Sequence, residues 1–127
     1  MEGFLSHKIG DKEIKFFIGV YSLEKSLEEM DASLSDLGEL LNKKFMPLVR
    51  HYIYFSAEYH ATEIEGIEFE YSPKDAYKWI DAMGGINSEF YLKFSKAVLK
   101  DLGVNMDAKA EEPEKKSPKA TKTKPIL

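Results

Sequence analysis

Met46 to Ala61, MPLVRHYIYFSAEYHA, is the densest apolar run of the chain, and its period is helical. Pro47 suits a first helical turn, where its missing N–H would have no intrahelical partner in any case. At about 100° per residue, Leu48, Tyr52, Phe55 and Tyr59 form one stripe, and Met46, Val49, Ile53 and Ala57 form the stripe beside it. Only Arg50, His51, Tyr54 and Glu58 remain for solvent. A helix over 46–61 that is apolar across so wide an arc belongs at the centre of its domain. The rest of the chain must supply what encloses it.

Upstream, FLSHKIGDKEIKFFIG (Phe4–Gly19) sets Leu5, His7 and Ile9 before Gly10-Asp11 and Ile14, Phe16 and Ile18 after it, alternating in each run. This is a β-hairpin over 4–18: Gly10 accepts the positive φ of a two-residue primed turn, and aromatic or β-branched side chains suit the flanking strands. From Val20 the period changes. Val20, Leu23, Leu27 and Met30 make a narrow inward stripe and predict a helix over 20–30. Ser33, three residues ahead of Asp36, reads as a capping-box variant opening a second helix over 33–42, with Leu34, Leu37, Leu40 and Leu41 at helical spacing.

Downstream, Ile67, Phe69 and Tyr71 alternate with Glu68 and Glu70, a short extended run whose charged face must stay wet; whether it joins the hairpin is open. Ser72 and Pro73 then start a helix over 73–83, with Ala76, Trp79, Ile80 and Met83 inward, Tyr77 flanking, and Lys74, Lys78 and Asp81 outward. Gly84-Gly85 stops it. Asn87 or Ser88 caps a last helix over 88–102, which buries Phe90, Tyr91, Phe94, Ala97, Val98 and Leu102. Leu92 and Leu99 lie about 140° to 160° from Phe94 on that helix, with Ser88 and Ser95 beside them. Such a second apolar side is either sandwiched within the domain or forms a strip, Leu92, Ser95 and Leu99, for a partner helix.

The sequence therefore predicts an α+β, mostly helical fold, with an N-terminal β-hairpin packed on a bundle of about five helices within residues 1–104. The length of 127 residues, 43% of them apolar and 31% charged, fits one modest domain. No stretch approaches the roughly 18 consecutive apolar residues of a membrane helix, and the N-terminus lacks the basic-then-apolar order of a signal peptide, so a soluble cytoplasmic protein is expected. From Met1 to Val104 there are 12 Lys and Arg against 18 Asp and Glu; from Asn105 onward there are 6 against 4. The tail, 105–127, has three prolines, no aromatic residue and little apolar content before its last two residues. That composition cannot offset the entropy of ordering and predicts a disordered tail. The acidic body argues against nucleic acid as a partner, because phosphate binding needs clustered Lys and Arg.

Catalytic motifs are not found in the sequence. With no cysteine there is no disulfide, thiolate nucleophile, zinc knuckle or iron–sulfur cluster. His51 and His60, nine residues apart on one predicted helix, face opposite ways and cannot share a metal. The segment EYHATE offers Glu58, His60 and Glu63 without the two same-face histidines of a zincin. Gly84-Gly85 follows a helix instead of joining a strand to one, so it is no phosphate loop, and no serine lies in a nucleophile elbow. Glu28-Glu29 and Glu68/Glu70 read as solvated faces. No catalytic residue, cofactor or metal ligand is expected, and Trp79 reads as core.

The order of segments IGDKEIKFFIG, VYSLEKSLEEM, SLSDLGELL, PLVRHYIYFSAEY and YSPKDAYKWIDAMGG, followed by a charged tail, resembles the tail assembly chaperones of long-tailed (siphovirus-like) bacteriophages. The likeness covers Ile9 to about Gly103. It implies a non-enzymatic protein of the host bacterial cytoplasm, absent from the mature virion. Such a protein would coat the tape-measure protein and help recruit the tail-tube protein, with self-association possible. In that family a longer, frameshifted form often exists, and the tail here could be the end specific to a short form. Two other classes fit the residues: an acidic interaction adaptor unrelated to phage, and a nucleic-acid regulator using the basic tail.

Overall fold

The computed structural model of the chain describes residues 3–104. It is mostly helical, with one antiparallel hairpin at the N-terminus: β1 (Phe4–Ile9) and β2 (Lys12–Phe17) pair from Phe4↔Phe17 to Ile9↔Lys12. Gly10 sits at the first central turn position with φ +66°, while Asp11 keeps a negative φ; this is why the turn needs glycine at that position. Then follow α1 (Val20–Glu29), a 3₁₀ turn (Leu34–Asp36), α2 (Leu37–Lys43), α3 (Phe45–Tyr59), a π-helical turn (His60–Ile64), α4 (Asp75–Met83) and α5 (Glu89–Asp101). The predicted tail over 105–127 lies outside the described residues.

The central position of α3 is observed. It packs against β2, α1, α2, α4, α5 and the π turn, and Leu48, Val49, Tyr52 and Ile53 are fully buried. On the hairpin, Ile14 and Phe16 point into the same core, and Phe16 meets Phe94 edge-on at 5.5 Å between centroids and Trp79 at 6.2 Å. Tyr52 crosses the core and donates its phenol hydrogen to the Asp101 carboxylate at 2.9 Å, tying α3 to the end of α5.

Several boundaries and faces differ from the sequence reading, each for a local reason. The helix expected over 46–61 ends as an α-helix at Tyr59, because from His60 the backbone widens to i→i+5 bonding, with Glu65 N–H to His60 C=O at 2.9 Å. The helix expected over 33–42 divides. Ser33 N–H donates to the Asp36 carboxylate at 2.8 Å, which holds a 3₁₀ turn before α2 begins. The helix expected from Pro73 begins at Asp75, whose carboxylate receives the Ser72 N–H at 2.8 Å. Its end is as read: Gly84 adopts φ +114°, and a Cβ there would stand 3.2 Å from Ser88 Cβ.

Val20 does not point inward; at 78% exposure it is the most exposed large apolar residue described. The inward face of α1 is centred on Ser22 and Ser26, both fully buried, with Leu27. These small residues let α1 approach α3 closely, and Ser22 Oγ shares a hydrogen bond with Ser56 Oγ at 2.8 Å. The contact direction is thereby rotated away from Val20. Met46 is likewise exposed, in the first turn of α3. The run 67–71 stays out of the sheet, which has two strands. Its aromatics turn onto the helices instead: Phe69 packs on Tyr54 at 5.4 Å, Tyr71 on Trp79 at 5.1 Å, and Tyr54 donates to the Tyr71 carbonyl at 3.3 Å.

Trp79 is 5% exposed between Phe16 and Tyr71. Trp79→Ala should cost about 3 to 5 kcal/mol, which lowers the melting midpoint of a domain this size by more than about 10 °C. A calorimetric midpoint within about 4 °C of the parent would remove Trp79 from the core.

Titration gives an independent test of the packing around α3. Burial lowers the pKa of His51 below its ordinary value, helped by the Arg50 guanidinium 3.3 Å from Nε2 and partly opposed by Glu29. The unfolded chain therefore binds the proton first, so stability should fall as pH drops from about 6.5 toward the lower folded-state value. His51→Gln should flatten that slope in urea titrations; an unchanged slope would contradict the assignment. Burial, reinforced by Asp101, raises the Tyr52 phenol, so stability is also lost as pH rises beyond about 10.

Candidate functional site

The three histidines are held apart by separate elements. His7 on β1 stacks on Phe90 at 4.5 Å, His51 packs along Phe55 on α3, and His60 lies buried in the π turn with Nδ1 3.9 Å from Glu65 and its ring against Phe4. Glu58 accepts the Tyr21 hydroxyl at 2.7 Å, so its carboxylate is engaged in joining α1 to α3. Burial first and this bond second push the Tyr21 phenol well above its ordinary range. Among the described residues no group of three or more His, Asp or Glu could hold a metal ion. No helix there is long and apolar enough to cross a membrane.

What the surface offers is contact chemistry. On α5 the inward arc is Phe90, Tyr91, Phe94 and Val98, all buried. Ser88 caps the helix by accepting the Tyr91 N–H at 3.2 Å, which sets the rotation of the first turn. With that arc anchored, Leu92 emerges on the other side, 48% exposed, with Lys93 and Lys96 beside it in solvent. Leu99, two turns on, is half-buried, and Ser95 is buried at 8%. The strip expected from Leu92, Ser95 and Leu99 thus narrows. Leu92 is its exposed point, Leu99 forms its edge, and Ser95 belongs to the packed side because the helix is rotated toward α3 and α4. The sandwiched reading of this helix does not hold for Leu92.

Two surface features have no counterpart in the motif reading. One is the apolar spot of Val20 beside a small cleft lined by Phe17, Tyr21 and Tyr59. The other is a groove of about 340 Å³ between β2 and the run 65–71, floored by Ala57 and Ala61. The sequence signal for the groove was the pair of small residues four apart at the end of the most apolar helix, next to an alternating run. Arg50 marks a third face, its guanidinium 4.5 Å above the Tyr77 ring, so that α3 and α4 share a cation–π contact at the surface.

No family model, no curated protein and no solved structure matches the chain.

Proposed function

We propose that this chain is a non-catalytic tail assembly chaperone that binds a tape-measure protein through apolar helix contacts centred on α5. The observation that carries the reading is Leu92, a large apolar side chain held out in solvent on a helix whose opposite face is locked into the core. The order of segments in the sequence, similar to that of the phage chaperones, supports the same reading. A tape-measure protein is a very long helical chain with apolar segments. An abundant small partner that covers those segments suppresses aggregation until the tube assembles around them. The work is done in the host cytoplasm by reversible burial, and no bond is made or broken.

Burying a leucine side chain completely contributes about 1.5 to 3 kcal/mol; with Leu92 already half covered in the domain, its contact contributes about half of that, so its loss weakens each contact by about three- to tenfold. Co-expressed with its cognate tape-measure protein, the wild type should keep that protein soluble and co-purify with several copies per chain. Leu92→Glu should abolish this while melting within about 4 °C of the parent, as surface substitutions do. A folded wild type that leaves the tape-measure protein insoluble contradicts the function; a folded Leu92→Glu that still solubilises it contradicts the α5 surface.

A further inference from the structure

The groove beside β2 is lined by unsatisfied backbone as well as by side chains. Among the described residues β2 has a strand partner, β1, on one side only. The two-residue turn makes Ile9↔Lys12 a hydrogen-bonded pair, and bonded and non-bonded pairs alternate from there, so Lys8↔Glu13 and Ser6↔Lys15 are non-bonded. The N–H and C=O groups of Glu13 and Lys15 therefore point away from β1, and no described residue bonds to them. They face the groove, whose far wall is the extended run Ile67 to Tyr71 and whose floor has the small side chains of Ala57 and Ala61. Lys15 and Glu65 neutralise one another at 3.2 Å. Glu13, Glu68 and Glu70 make no ion pair with any described residue.

A free strand edge, an opposing extended wall, a small-residue floor and three unpaired carboxylates describe a receptor for an added strand that carries positive charge. We propose that this groove takes up residues Thr121–Lys124 of the same chain. Thr121-Lys122-Thr123-Lys124 alternates β-branched and basic side chains, which in an extended segment project to opposite sides. Threonines then face the alanine floor and lysines face Glu13, Glu68 and Glu70. No acidic residue occurs after Glu114, and Pro125, lacking an N–H, ends the pairing. The 16 residues from Asn105 to Ala120 span up to about 53 Å, against about 34 Å across a domain of this size. Reach is sufficient, and tethering places the segment near the groove at millimolar order.

Amide hydrogen exchange on the full chain tests this. The Glu13 and Lys15 N–H groups should exchange at least about tenfold more slowly in the wild type than in Lys122→Glu/Lys124→Glu. Glu68→Lys/Glu70→Lys should lose the same protection, and combining both charge reversals should restore it. The protection should be independent of protein concentration. Equal exchange at Glu13 and Lys15 in the wild type and both reversed variants overturns the proposal. Protection that disappears on dilution also overturns it, because the occupant is then a second copy, and failure of the combined variant to recover overturns the proposed charge pairing.

Discussion

Everything described in this domain depends on enclosing α3. A helix with Leu48, Val49, Tyr52 and Ile53 fully buried draws its stability from the neighbours that cover those side chains. The dependence is mutual. A lone two-stranded hairpin is marginal in water, as is an isolated helix of ten residues such as α1. The hairpin contributes Phe16, α1 contributes Leu27 and two serines that permit close approach, and α5 contributes Phe94 and Val98. Tyr52, bonded to Asp101, sets the depth at which α5 sits.

That enclosure also decides which surfaces remain for function. Because α5 is fixed through Phe90, Tyr91, Phe94 and Val98, its far side cannot turn inward, and Leu92 is left out at the surface with lysines around it. Because Phe69 and Tyr71 are drawn onto Tyr54 and Trp79, the run that carries them does not pair with β2, and a strand edge that no described residue fills results. Both features follow from core packing, and both are recognition chemistry: burial of apolar surface in one case, backbone pairing steered by charge in the other.

The architecture was largely legible in the sequence because its signals are periodic. The hairpin about Gly10, the two-stripe pattern of α3, the capping pair Ser33 and Asp36 and the stop at Gly84 each have a local cause that needs no tertiary information. What escaped depends on neighbours. The rotation of α1 that exposes Val20 is set by Ser22 and Ser26, residues that hydrophobic periodicity does not count. The π turn after Tyr59 and the refusal of 67–71 to join the sheet are likewise outcomes of packing. At the candidate site the second apolar side of α5 was visible from spacing, but the burial of Ser95 and the partial cover of Leu99 came from how far the helix rolls toward α3 and α4.

Site-specific photo-crosslinking during co-expression with the tape-measure protein tests the account most directly. A photoreactive side chain introduced at position 92 should yield an adduct with the tape-measure protein, and one introduced at the exposed Lys74, ahead of α4, should not. An adduct from position 74 with none from position 92 would contradict the account.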